Sequence, residues 1–280
     1  MLCPPGAKGG HTHPVPRTPP TPRTGRPYLD EVLDGPAPVL ALAHRGGAYH
    51  PGLEGLENTL EAFRHAVDLG YRYLETDVHV TADGVLLAFH DDVLDRVTDQ
   101  QGPIAGLTHA DVRRARIGGR AEVPTLASLL DELPGTRFNI DLKSDGAVRP
   151  LADLVAARGL EDDVLVGSFS VARVRDFRRL TGGRVATSAA PAEVVAFLLR
   201  PRRRAPFDAV QVPHRRGRLV VASARLVRTA HAAGKHVHVW TIDEADEMGV
   251  LLDRGVDGLF TDRTDVLRDV LAERGHWRET

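Results

Sequence analysis

The sequence predicts an α/β chain folded as a (β/α)8 barrel, and three observations carry the prediction. From Val39 onward, short β-branched and apolar runs alternate with amphipathic stretches of about 10 to 15 residues, the pattern of strand and helix units on a parallel sheet. No GxGxxG fingerprint follows the first run, which speaks against the runner-up, an open doubly wound sheet. Of the 280 residues, roughly 240 remain for these units, close to the usual size of one barrel.

Composition sets limits before any motif is read. With 36 basic against 38 acidic side chains and a net charge of −2, the chain lacks the basic excess of a bulk nucleic-acid binder. Cys3 is the only cysteine, so there is no disulfide framework and no cysteine metal site. Residues 1–37 are expected to be a disordered tail, because Pro4, Pro5, Pro14, Pro16, Pro19, Pro20, Pro22 and Pro27 leave few apolar residues to bury. Residues 38–280 form the barrel domain in this reading. No run before residue 38 has the apolar core of a secretory signal, and no later run nears the roughly 18 apolar residues of a membrane span. The expectation is a cytoplasmic protein without stable membrane insertion.

The expected strands are VLALAHRG from Val39, YRYLETDV from Tyr71, RFNIDLK from Arg137 and DVLVGSF from Asp163, then RVATSAA from Arg184, DAVQVPH from Asp208, HVHVWTI from His236 and VDGLFTD from Val256. Helical patterns follow nearly all of them, and Gly70, Gly159, Gly234 and Gly255 stand where several helices should stop. A longer insertion follows the second strand. It opens with Asp83-Gly84 between two apolar runs, a hairpin signal. If these two residues form the loop, Asp77 pairs with His90 on the same face, and a one-residue slip would reverse that.

Barrel enzymes place their chemistry at the C-terminal strand ends. Those positions hold His44-Arg45, Glu75, Asp77, Asp141, Lys143, Ser168 to Ser170, His214, Trp240-Thr241 and Asp262. Glu75 and Asp77 are two apart in a strand and share a face. Two adjacent acids repel unless a cation or proton lies between them. With Asp141 they form an oxygen-only set suited to Mg²⁺ or Ca²⁺ rather than zinc. Pairing of these acids with nearby Arg and Lys is the plainer alternative.

Seven segments in register then carry a family resemblance: His44-Arg45-Gly46, Glu57-Asn58-Thr59, Glu75-Thr76-Asp77, Asp83-Gly84 with Phe89-His90-Asp91, Asn139 to Lys143, Ser168-Phe169 and Val239-Trp240-Thr241. Together, from about Leu42 to Asp262, they resemble the glycerophosphodiester phosphodiesterases. The resemblance implies a metal-dependent barrel enzyme that hydrolyses glycerophosphodiesters to an alcohol and glycerol 3-phosphate. It implies His44 and His90 as the acid/base pair, Arg45 and Lys143 as phosphate ligands, and Glu75, Asp77 and Asp141 as ligands of one divalent cation, Mg²⁺ or Ca²⁺ with Mn²⁺ a further candidate. Trp240 would line the substrate pocket, with barrel packing as its other reading. Glu57 and Asn58 would stand behind the ligands, although Glu57 also suits the first turn of a helix. Three positions depart from the family pattern: Asp141 replaces a usual Glu, Leu56 a usual proline, and Asp243 a frequent asparagine. A lysophospholipase D acting on one-chain lipids is the alternative enzyme, and a non-catalytic phosphodiester-binding barrel the non-enzymatic one. The alcohol group, oligomeric state and choice of nucleophile, water or a glycerol hydroxyl, stay open at this level. His214 and the Arg215 to Arg218 run could meet an anionic substrate or be solvated. Arg200 and Arg202 to Arg204 precede the sixth strand and belong to the opposite face, as solvated surface or a weak anion site.

Overall fold

In the computed structural model, residues 20–35, 38–201 and 204–277 are described. All eight expected strands form: β1 Leu40–His44, β2 Tyr73–Val80, β3 Arg137–Leu142, β4 Val164–Gly167, β5 Ala186–Thr187, β6 Ala209–Pro213, β7 His236–Trp240 and β8 Gly258–Thr261. They pair in parallel in chain order, and β1 also pairs with β8. The remaining gap, between β5 and β6, is closed by the Ser188 to Ala209 bridge and the 2.9 Å hydrogen bond from Ala189 N to the Ala209 carbonyl. The result is a closed (β/α)8 barrel.

The helices follow the predicted pattern: α1 Leu60–Asp68, α2 Leu126–Glu132, α3 Val148–Arg158, α4 Val171–Leu180, α5 Pro191–Leu199, α6 Ala224–Ala232, α7 Ala245–Asp253 and α8 Thr264–Glu273. Thr59, Thr125, Ser170 and Ser223 start four of them by accepting a backbone N–H with the side chain. Gly70, Gly159, Gly234 and Gly255 all have positive φ where their helices end.

Strand alternation sorts the core. On β2, Leu74 and Val78 pack outward against the helices, while Tyr73 points into the barrel with Leu40, Leu42, Leu165 and Phe260. Above this apolar floor lies a polar layer in which Gln211 Nε2 donates to Asn139 Oδ1 at 2.6 Å and lies 3.2 Å from His238 Nδ1.

Two expectations need correction. The first concerns the tail. Its residues 1–19 and 36–37 lie outside the described residues, but residues 20–35 are part of the fold. A single helical turn, Pro27–Asp30, inserts Tyr28 and Leu29 into the barrel floor, where both are 0% exposed. Tyr73 Oη donates to the Tyr28 carbonyl at 3.1 Å, and the Pro22 carbonyl lies 2.9 Å from His236 Nε2. Two apolar side chains suffice here because the barrel supplies the rest of the cavity.

The second is the hairpin register. Val78, His79 and Val80 pair with Ala88, Leu87 and Leu86, one residue off the expected alignment, so Asp77 faces Phe89. The loop has three residues, Ala82 to Gly84, with Gly84 at φ 86°. This is the type I turn closed by a left-handed glycine rather than the two-residue turn. His90 reaches the strand ends nonetheless, because the paired segment Leu86–Ala88 stops before it and the pleat no longer dictates its direction.

Candidate functional site

The C-terminal ends of the strands surround a cavity of about 260 Å³ lined by His44, Arg45, Glu75, Asp77, His90, Asp141, Lys143 and Trp240, among others. Strand register brings these groups together. The parallel pairing sets His44 beside Glu75, Glu75 beside Asn139, and Asp77 beside Asp141. All eight of the residues expected to act at the pocket therefore meet in one place, while Glu57 and Asn58 stand behind it.

Asp77 is the most tightly held acid. Lys143 Nζ is 2.9 Å from its Oδ1 and 2.7 Å from Asp141 Oδ2, so one ammonium is shared by two carboxylates. Asn58 Nδ2 donates to Asp77 Oδ2 at 3.1 Å and receives the Thr76 hydroxyl on its own Oδ1 at 2.8 Å. Burial opposes the charge on Asp77, but Lys143 and Arg45 prevail and hold its pKa at about 2. Glu75 goes the other way. Burial and the adjacent Asp77 raise its pKa to about 7, although His44 and Arg45 pull it back. Its Oε2 accepts the Arg45 backbone N–H at 3.1 Å.

Among the described residues, Arg45 and Asn58 are the two other than glycine with positive φ, at 49° and 58°. Such backbone costs on the order of 1 kcal/mol or more and clusters at functional sites. The Asn58 N–H donates to the Arg45 carbonyl at 2.9 Å, so each helps fix the other. Arg45 Nη1 donates to Glu57 at 3.1 Å. Its Nε lies 3.1 Å from Asp77 Oδ2, yet that buried N–H is not aimed at the oxygen and has no hydrogen-bond acceptor.

His44 Nδ1 is 2.9 Å from Asp262 Oδ1, and its Nε2 is 3.8 Å from Glu75. Burial favours neutral imidazole, but Glu75 and Asp262 outweigh it and raise the pKa to about 9. Asp243, at a position where the family pattern often has asparagine, accepts the Asp262 N–H at 2.8 Å and the Thr261 hydroxyl at 3.0 Å. It thereby positions the acid that holds His44. His90 Nδ1 is 2.6 Å from Asp91 Oδ1.

Sequence reasoning missed Arg96. Its guanidinium grips Glu57 through two bonds of 2.8 and 2.7 Å and Asp91 through two of 2.6 and 3.1 Å. It therefore ties the carboxylate behind Arg45 to the carboxylate behind His90. The sequence marks Asp262 only as a strand-end acid, and its contact with His44 emerges from the fold. His214 is absent from the cavity lining; it is 6% exposed and bonded between Glu247 and Arg254, whose Nη1 is 2.8 Å away. The pocket mouth is apolar on one side, where Phe169 meets Trp240 edge to face with centroids 5.8 Å apart.

The chemistry of the acids suits a hard divalent cation: three carboxylates on one wall, no sulfur, and a Glu75 whose charge is disfavoured by its neighbour. As they stand, no three His, Cys, Asp or Glu side chains among the described residues are spaced to hold a metal together. Lys143 takes the position between Asp77 and Asp141. A cation would have to share their oxygens with it.

Comparison with known proteins gives one consistent answer. The profile of the glycerophosphoryl diester phosphodiesterase family matches residues 44–266. A Mycobacterium tuberculosis protein named as a probable glycerophosphodiester phosphodiesterase 2 is 41% identical, over 88% of this chain and 99% of its own. A solved Silicibacter pomeroyi chain, provisionally named a glycerophosphoryl diester phosphodiesterase, superposes with a TM-score of 0.75 at 24% identity, over 90% of this chain and 99% of its own. An Oleispira antarctica phosphodiesterase, solved with its product sn-glycerol-3-phosphate, superposes with a TM-score of 0.67 at 22% identity, over 83% and 96%.

Proposed function

The chain belongs to the glycerophosphoryl diester phosphodiesterase family, and from that premise we propose that it hydrolyses glycerophosphodiesters to an alcohol and glycerol 3-phosphate by His44 and His90 acid/base chemistry assisted by a divalent cation. One observation carries the reading. Two imidazoles, a guanidinium, an ammonium and three carboxylates line a single small cavity, which suits a phosphodiester far better than a neutral ligand.

Arg45 and Lys143 bind the phosphate in this account, since both line the cavity. Charge grows on the non-bridging oxygens during phosphoryl transfer, so fixed cations favour the transition state over the ground state. His44, kept charged at neutral pH by Glu75 and Asp262, releases the proton on Nε2 to the departing alkoxide. His90, steadied through Nδ1 by Asp91, takes the proton of the attacking oxygen, either water or the neighbouring glycerol hydroxyl; on the second route water then opens the cyclic phosphate with the two histidines exchanging roles. Glu75, Asp77 and Asp141 would hold the cation, Mg²⁺, Ca²⁺ or Mn²⁺, which supplies further positive charge to the phosphate oxygens. Trp240 forms the apolar wall for the substrate. A cytoplasmic location is part of the proposal, in keeping with a single cysteine; among the described residues no helix is long and apolar enough to cross a membrane.

The test is release of glycerol 3-phosphate from glycerophosphocholine and glycerophosphoethanolamine with chelator and with each metal. Turnover that chelator abolishes and a metal restores supports the proposal, and no turnover of any glycerophosphodiester overturns it. Phe169, 63% exposed beside Trp240, favours one further reading, a lysophospholipase D whose substrate rests its acyl chain there. Higher kcat/KM on lysolipids than on deacylated diesters would select it.

A further inference from the structure

Eight large apolar side chains are exposed among the described residues, and five of them belong to two adjoining segments: Phe169 and Val171 at the start of α4, and Val195, Leu198 and Leu199 on α5. The α5 residues are 59%, 44% and 78% exposed. Ala192 and Ala196 are exposed on the same helix, and its only charged residue, Glu193, is bound to Arg178 of α4 at 2.6 Å. A surface helix normally turns charge outward. This one does not.

The flanks are basic. Arg175 on α4, Arg225 and Arg228 on α6, and Arg200 and Arg204 after α5 are all exposed. None has an acidic partner among the described residues, whereas Arg64, Arg120 and Arg158 elsewhere on the surface each hold a carboxylate. Pro201 and the α6 residues Arg225, Arg228 and Thr229 line one shallow depression, which places the loop after α5 against the basic helix. At the other end of α5, Pro191 lines the catalytic cavity, so the apolar stripe starts at the pocket rim.

We propose that this face docks the protein on an anionic lipid bilayer. Aliphatic tips entering the interface between arginines that meet headgroup phosphates are the two components of peripheral attachment. A second copy of the chain fits less well, because a two-fold dimer through this patch would set its unpaired arginines against each other. Docking through α5 lays the barrel on its side with the pocket rim close to the lipid surface. The inference stands on the surface alone and does not depend on the catalytic roles proposed above.

Sedimentation of the full chain with vesicles tests it. Phosphatidylcholine vesicles containing about one-third phosphatidylglycerol should pellet the protein and pure phosphatidylcholine should not, with weaker pelleting at about 0.5 M salt. Each basic side chain near such a surface raises partitioning about fivefold, so the Arg225→Glu, Arg228→Glu double variant should lose at least about 25-fold. Leu199→Glu should lose binding as well. Both variants should keep wild-type turnover of a water-soluble diester and wild-type melting temperature, which separates failure of docking from failure of the enzyme reading. Absence of pelleting with anionic vesicles, equal pelleting with both vesicle types, or wild-type binding by both variants overturns the proposal. So does a concentration-dependent dimer that Leu199→Glu abolishes in a protein that ignores vesicles.

Discussion

The two ends of the barrel are built on opposite principles. At the floor, Tyr28 and Leu29 fill an apolar cavity and Tyr73 spends its hydroxyl on a backbone carbonyl. At the mouth, Asp77, 1% exposed, and Glu75, 5% exposed, are kept by Lys143, Arg45 and His44. Burying charge is costly unless each group is paired, so the mouth gives up packing energy for chemistry while the floor supplies packing. The polar layer of Asn139, Gln211 and His238 separates the two. The comparison teaches that stability and activity should respond to different residues.

The largest effect should appear at the mouth. His44→Ala should lower kcat per folded molecule about 10³-fold, the usual worth of a positioned acid or base. A large loss of stability with kcat retained per folded molecule would break the division. At the floor the pattern should reverse: Tyr28→Ala removes a fully buried ring and should cost about 3 kcal/mol in urea unfolding, with kcat close to wild type well below the melting temperature. If Tyr28→Ala abolished kcat in folded protein, floor and mouth would be one coupled unit.

The pH response of stability should also have opposite signs in the polar layer and at the mouth. Burial, and next the neighbouring His236, push His238 down to about 3 from an ordinary 6.5. Between those values the unfolded chain binds a proton that the native state refuses, so this stabilisation is complete above 6.5 and falls as acid moves toward 3. The loss should reach about 2 kcal/mol by pH 5. His44 is raised from 6.5 to about 9; burial lowers it, but Glu75 and Asp262 prevail. Its contribution is complete below 6.5 and disappears as pH rises through 9. Unfolding in chelator across this range checks both, and His238→Gln should flatten the acid limb alone.

A smaller effect sharpens the picture of the mouth. Arg96→Ala frees Glu57 and Asp91 from their shared guanidinium and should lower kcat about tenfold through His90 and Arg45, by misplacement rather than lost chemistry. Arg96→Lys, which cannot span both carboxylates in a fork, should rescue little. An unchanged kcat would make the clamp ornamental.

The strands and the strand-end acids could be read from the sequence because hydrophobic alternation and the two-residue period of β2 and β3 are local signals. The floor could not, because Tyr28 and Leu29 stand alone in a proline-rich segment and find their partners only once the barrel closes. The hairpin register failed on a single residue, since Asp83-Gly84 serves two-residue and three-residue loops alike. His90 lines the cavity, although the pairing expected to bring it there is one residue off. Arg96 lies in an irregular insertion, 39 residues from Glu57, and no periodicity points to that contact.

The most direct measurement follows the ³¹P NMR spectrum of glycerophosphocholine incubated with the protein and a divalent cation. A glycerophosphodiester phosphodiesterase replaces the substrate signal with that of glycerol 3-phosphate and releases free choline. A spectrum that does not change, or one that ends in phosphocholine, would contradict the assignment.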